Sequence, residues 1–338
     1  MISDLIKRAL YASGALGLLH RIRNRDALTV AMYHRVIAPS DPRWETCDPD
    51  YTISDELFAK TLRFFKRHYR IVSLDDVAAA RRGERALPPR ALLVTFDDGW
   101  SDNADYALPV LEREGVPAVI FTVADAIGRD AAFWQEQLIA AWRAQRLGEA
   151  DVAAIAGEAR ADVSRPGGVD GLRRAIAALE GLGAPERDRI LAPYRERLGE
   201  ARRLMVSPAD LSRLRAGGVA IGLHGKTHTP MTRADDVDAE LDAARRIVAG
   251  HLGVPPGELA TLSFPHGRWT PEIVARARAL GYQLMFTSVP SLNRTQPGCP
   301  DVLARVGVET DLAQDARGRF RPDWMALRFF RRPAERLG

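Results

Sequence analysis

With 338 residues, 46% of them hydrophobic, the chain has the apolar material for a large core, and one α/β barrel of this length is ordinary. Its net charge of +4 comes from 48 basic residues, of which Lys7, Lys60, Lys66 and Lys226 are the only lysines, against 44 acids. The arginines are dispersed, and no RNP-like, zinc-finger or basic-region pattern occurs, so nucleic-acid binding is not expected.

In chain order, residues 1–26 read as a basic amphipathic helix. The apolar run Ala9–Leu19 is shorter than the ~20 residues a membrane span needs. Arg21, Arg23 and Arg25 follow the apolar part, the reverse of a secretory signal, so the segment is expected to be retained and the protein to be cytoplasmic. From residue 27 strands and helices alternate. "ALTVAMYH" reads as a buried strand, and "DELFAKTLRFFKRHY" as a helix with Leu57, Leu62 and Phe65 on one side. "RIVSL", "DDVAAARRG", "ALLVTF", "DNADYALPVLEREG" and "PAVIFTV" continue the rhythm. After a break it resumes with "SPADLSRLRAGG", where Ser207 is a helix cap, then "VAIGLH", "ADDVDAELDAARRIVAGHLG", "LATLSF", "TPEIVARARALG" and "YQLMFTS". This predicts a parallel sheet, closed into a distorted (β/α) barrel of about seven strands over residues 27–315. The break, about 128–203, is rich in Ala, Arg, Glu and Leu and reads as a helical insertion, in which Trp134, Trp142 and Tyr194 pack. Cys47 and Cys299 form no C-x-x-C motif and are expected to be reduced.

Two strand ends carry chemistry. "ALLVTFDDGW" runs a buried strand into Asp97 and Asp98, with Gly99 allowing a turn. Adjacent side chains point different ways, so two acids there serve different roles. "IGLHGKTHT" ends another strand with His224 and His228, four residues apart. Two imidazoles and one carboxylate are a ligand set that leaves a coordination position for water, as in catalytic zinc sites.

Together with "SFPHG", these motifs resemble the polysaccharide deacetylases, the NodB-homology or carbohydrate esterase family 4 enzymes, over about residues 27–127 and 205–310. The resemblance implies a hydrolase that removes N-acetyl groups from a hexosamine-containing glycan or glycolipid. It makes Asp97 the catalytic base and Asp98, His224 and His228 the ligands of one divalent ion, zinc by preference. Trp100, Phe264, Pro265 and His266 would line the substrate groove, with the His266 N–H assisting the oxyanion. Two departures stand out. Ser263 occupies the region where many members carry an arginine that pairs with the base, and no late L-x-H supplies a general acid. As in deacetylases of bacterial exopolysaccharide systems, such as the poly-N-acetylglucosamine enzymes, His34 at an early strand end would supply that acid. Arg305, in "VLARVGVE", is the substitute for the missing arginine. Deformylation of a lipid-linked amino sugar keeps the same centre with another acyl group, and the departures also fit a catalytically weak glycan-binding member of an assembly complex.

The chain closes, from 316, on a basic aromatic tail, "DWMALRFFRRPAERLG", with Trp324, Phe329 and Phe330 beside Arg328, Arg331 and Arg332. Both ends suit contact with an anionic membrane surface, which would favour a lipid-linked saccharide as substrate, or else pack across the barrel.

Overall fold

The computed structural model describes residues 3–162, 167–199, 203–295 and 302–331. The chain divides into two compact units, one of residues 1–38, 50–129 and 205–338, the other of residues 39–49 and 130–204.

The first unit is built on a parallel-rich sheet. Its strands are β1 (Ala27–Tyr33), β2 (Arg35–Ile37), β3 (Thr52–Ser54), β4 (Arg70–Ile71), β5 (Ala91–Phe96), β6 (Ala118–Thr122), β7 (Val219–Leu223), β8 (Thr261–Ser263), β9 (Leu284–Phe286), β10 (Asn293–Arg294), β11 (Val302–Leu303) and β12 (Val306–Gly307). β1, β5, β6, β7, β8 and β9 lie side by side in that order, all parallel. β11 then pairs with Met285 and Phe286 of β9, and β12, three residues on, pairs with Ala31 and Met32 of β1. One short segment therefore bridges the last strand and the first and nearly closes the sheet. The expected barrel of about seven strands is present as six parallel strands plus this shared wall. β10 and β4 extend it at the amino ends of β1 and β5.

Strand alternation sorts the side chains. Leu28, Val30, Leu93, Val119, Phe121, Leu284, Phe286 and Leu303 meet in one apolar cluster. The residues between them, Ala31, Tyr33, Leu92, Val94, Phe96, Ile120, Met285 and Val302 among them, join a larger cluster with helix residues such as Leu57, Phe58, Leu62 and Phe65. The first set fills the barrel and the second seats the helices, as a period of two requires. Continued past the strand ends, the interior parity falls on His34, Asp97, His224, Ser263 and Arg305.

The second unit is helical. Helices Trp134–Arg143, Glu149–Glu158, Gly168–Glu180 and Ala184–Leu191 bury Leu138, Ile155, Leu172, Leu179 and Ile190 around a core of their own, against which Trp134 and Trp142 pack. Residues 39–49 belong to this unit, and Asp48 receives both terminal nitrogens of Arg173.

Both ends of the chain have defined places in the first unit. The helix Pro322–Phe330 buries Phe329 and Phe330 completely in the barrel's outer core, so these two rings are unavailable to lipid. Trp324 is half-buried under the Arg321 guanidinium, and Arg332 and Cys299 lie outside the described residues, whereas Cys47 is buried with its thiol 3.2 Å from the Trp44 carbonyl. The amino-terminal helices Asp4–Ala12 and Ala15–Arg23 are pinned to this region. Asp4 pairs with Arg321, and His20 stacks on Phe330 at 4.1 Å while bonding the His68 carbonyl at 3.1 Å. No described helix is long and apolar enough to cross a membrane.

His68 sits in this seam, bonded to the Tyr11 hydroxyl at 3.1 Å. Burial, and then the charges of Arg67, Arg21 and Arg90, lower its pKa to about 4 from 6.5. The folded chain thus keeps His68 neutral while the unfolded chain takes up a proton below pH 6.5. Stability is full above 6.5 and falls as the pH drops towards 4, by about 1 kcal/mol at a half-exposed ring. Urea unfolding across this range should show a smaller acid loss for His68→Gln than for wild type; equal losses would remove His68 from the account.

Candidate active site

The carboxyl ends of the strands bring the interior-parity residues together. Asp97 follows β5, and its backbone N–H still bonds the Tyr33 carbonyl at the end of β1. Its carboxylate accepts two hydrogen bonds from Arg305, Nη1 to Oδ1 at 2.7 Å and Nη2 to Oδ2 at 2.6 Å. Arg305 is 1% exposed and stands between β11 and β12, in the segment that joins the barrel's two sides. Its remaining donors are used: Nη2 also reaches the Ser263 hydroxyl at 2.7 Å, and Nε the Thr287 carbonyl at 3.0 Å. Burial alone would raise the Asp97 pKa; the charges of Arg305 and His224 outweigh it and hold the group below its usual value.

Asp98 has its backbone in the left-handed region, with φ 76°, which turns its side chain away from that of Asp97. Gly99 follows at φ 82°, where a side chain would be strained and its Cβ would crowd Thr122 Cγ2 of β6 at 3.2 Å. Asp98 Oδ2 accepts from the indole N–H of Trp100 at 3.0 Å, which leaves Oδ1 facing His224 Nε2 at 3.4 Å and His228 Nε2 at 3.3 Å. These three atoms lie within 4.8 Å of one another, and the set is one carboxylate and two imidazoles. His224 Nδ1 meets the Ser263 carbonyl at 2.8 Å, which places its proton there and offers Nε2 as a lone pair. A divalent ion fits this donor set, with its second carboxylate oxygen and one ring nitrogen already oriented by neighbours. Burial would raise Asp98, but its interactions with the adjacent His224 and His228 rings hold it well below the carboxylate range.

The loop between the histidines is shaped by a residue the sequence motifs do not reveal. Glu240 is buried and accepts from the backbone N–H groups of Lys226 (2.7 Å) and Thr227 (3.1 Å), and from the Thr227 hydroxyl at 2.6 Å. Lys226 in turn pairs with Asp125 at 2.8 Å. Glu240 lies twelve residues beyond His228 in an unremarkable acidic helix, so no local pattern marks it.

His34 is half-buried at the end of β1, its ring edge-on to Tyr51 at 4.9 Å, and its carbonyl accepts from Asn103 Nδ2 at 3.1 Å. Burial lowers its pKa, opposed by the nearby charges of Asp98 and Asp97. It shares one electrostatic environment with the carboxylates.

The expected groove wall is different. Trp100 is 1% exposed and Phe264 fully buried, with Pro265 also inside, so these three do not offer a face to a sugar. Trp100 is instead sandwiched beneath Arg35, whose guanidinium lies 4.4 Å over the ring and bonds Asp102 at 2.9 Å, and its task is to hold Asp98. A Trp two residues after a ligand carboxylate can reach it through the chain's own turn at Gly99, and the side that packs depends on Arg35 across the fold. His266 does reach the opening. It is half-buried, has φ 57°, and stacks on His228 at 4.8 Å. Burial and the charges of His228 and His224 lower its pKa to about 3, keeping it neutral.

A family model described as polysaccharide deacetylase matches residues 84–285, more than half of the chain. The protein YxkH of Bacillus subtilis (strain 168) is 41% identical over 49 residues, a match spanning 14% of this chain and only 18% of that relative. In fold, the chain is similar to the deacetylase PplD of Streptococcus pyogenes in complex with acetate (14% identity, 90% of this chain and 99% of that one, TM-score 0.57). IcaB from Ammonifex degensii is similar at 20% identity, 90% and 97% coverage and TM-score 0.56. At these identities the likeness concerns the fold.

The Asp97–Arg305 pair makes a stability prediction independent of chemistry. Arg305→Met should cost about 3–5 kcal/mol, because it strands a buried carboxylate, and adding Asp97→Asn should recover most of that loss. Chemical denaturation of the two variants checks it; a double variant no more stable than Arg305→Met would show that the charge pairing is not what matters.

Proposed function

The chain belongs to the polysaccharide deacetylase family, and we propose that it is a hydrolase that removes the acetyl group from an N-acetylated hexosamine in a glycan, with a divalent ion, zinc by preference, at Asp98, His224 and His228. The observation that carries this reading is the split between the two adjacent acids. Asp98 points at two imidazole nitrogens, whereas Asp97 points at a buried guanidinium. This split supports reading one as a ligand and the other as a base.

Bound there, the ion supplies a Lewis acid that lowers the pKa of a water and polarises the acetamide carbonyl. Asp97 accepts the proton of the attacking water. Arg305 keeps it ionised and fixed, at some cost in basicity, since the same charge that stabilises the carboxylate weakens it as a proton acceptor. Ser263 holds the pair from the side, and its carbonyl orients His224. In this reading His34 gives a proton to the departing amine nitrogen, supported by the carboxylate charges it senses. Its burial favours the neutral ring at rest, so the flanking charges of Asp97 and Asp98 are what would hold a proton there during turnover. The His266 backbone N–H is assigned to the developing oxyanion. A glycan polymer, as in cell-surface polysaccharide synthesis, is the substrate class this reading favours.

Acetate release from N-acetylated hexosamine oligomers, with and without chelator, tests the reading directly. Activity should vanish with chelator and return with zinc; full activity in the metal-free protein would overturn it. Asp97→Asn should keep metal affinity while losing about 10²–10⁴-fold in turnover. Glu240→Ala, which frees the loop between the histidines without removing a ligand, should weaken metal binding by about 10–100-fold in a competition titration. Unchanged affinity in Glu240→Ala would mean that the loop needs no clamp.

A further inference from the structure

The amino-terminal helices leave an apolar surface uncovered. Of the eight large hydrophobic side chains exposed among the described residues, five lie here: Leu5 (78% exposed), Ile6, Leu18, Leu19 and Ile22 (71%). Single exposed apolar residues are common, but a cluster on one pair of helices marks a contact surface. On the second helix Leu18 and Ile22 are four apart, and Arg21, three from Leu18, borders them on the same side.

Arg21 leads into a basin of about 460 Å³ lined by Arg21, Arg25, Arg70, Pro88, Pro89 and Arg90. Four arginines line it and no acid does. The backbone assembles them at one end of the barrel: Arg90 N–H bonds the Arg25 carbonyl, and Arg70 N–H bonds the Arg90 carbonyl, both at 2.9 Å. Of the four, only Arg90 makes a side-chain bond among the described residues, to the neutral His68 carbonyl at 3.2 Å.

We propose that this face docks the protein on an anionic phospholipid surface, with phosphate headgroups in the arginine basin and Leu18, Leu19 and Ile22 entering the boundary of the acyl chains. Apolar side chains rimmed by arginines match a layered surface that is anionic outside and apolar beneath. Phe329 and Phe330, buried in the core, take no part. The docking face also fixes orientation. Arg25 and Arg90 precede β1 and β5, whereas His34 and Asp97 follow them, so face and site stand at opposite ends of the same strands, about 20 Å apart. The catalytic mouth therefore opens away from the lipid, towards a glycan that extends from the surface rather than a sugar lying at the headgroups.

Flotation with vesicles tests this with the full chain. Wild type should float with phosphatidylglycerol/phosphatidylcholine vesicles at low salt, bind phosphatidylcholine alone weakly, and dissociate at about 1 M salt, where charge screening acts within about 3 Å. Arg21→Gln, Arg25→Gln and Arg70→Gln should each reduce partitioning roughly fivefold, and the exposed pair Leu18→Ser/Ile22→Ser should abolish insertion while circular dichroism stays unchanged. An environment-sensitive label at Leu19→Cys should shift on vesicle binding and one at Arg268→Cys, beside the site, should not. Wild type that stays soluble with anionic vesicles would overturn the proposal. So would capture of inorganic phosphate by the basin without flotation, or self-association that Leu18→Ser/Ile22→Ser abolishes and vesicles do not affect. A shift at Arg268→Cys instead of Leu19→Cys would overturn the orientation.

Discussion

The buried pair of Asp97 and Arg305 ties the fold to the chemistry. Arg305 sits in the segment that pairs with β9 on one side and β1 on the other, so the residue that fixes the carboxylate is also part of the wall that joins the two ends of the sheet. Neither charge has access to bulk water, and each is satisfied chiefly by the other. A buried pair of this kind is costly to make and more costly to break, which places the barrel's closure and the ionisation of Asp97 under one constraint.

Around that pair, backbone strain is concentrated where ligands must converge. Asp98, His228 and His266 all adopt positive φ, and all three are at the opening of the barrel. Such conformations cost free energy and persist when surrounding contacts enforce them. The contacts are visible here. Trp100 and Gly99 hold Asp98, Glu240 holds the loop that carries His228, and the Ser263 carbonyl holds His224. The donor set is consequently preorganised by groups that never touch an ion.

The two ends of the strands carry different charge and polarity for a geometric reason. At the carboxyl ends, interior parity delivers acids and imidazoles into a shielded opening. At the amino ends, Arg25 two residues before β1, Arg70 at the start of β4 and Arg90 just before β5 line a basin beside an exposed apolar helix. A parallel barrel keeps these ends apart by the length of its strands, so a surface contact at one leaves the other open.

Much of this was legible in the sequence. Alternation of apolar strands with helices specified the barrel, and the adjacency of Asp97 with Asp98 and the four-residue spacing of His224 and His228 singled out the site, because both signals are local and survive any packing. Interior parity, counted along each strand, even reaches Ser263 and Arg305. Other features depended on residues far apart in the chain. Trp100 and Phe264 could equally have faced a sugar or the core, and Arg35 above the indole ring decides the first while the enclosing cluster decides the second. Glu240 carries no motif and acquires its role only by folding against residues 226 and 227. Residues 39–49 gave no sign that they belong with the helices of 130–204. The aromatic tail and the amino-terminal helices had the same basic amphipathic character, yet one is buried and the other exposed. Local sequence fixes periodicity and the chemistry available at strand ends; which apolar face finds a partner is set by the shape of surfaces that exist only once the chain has folded.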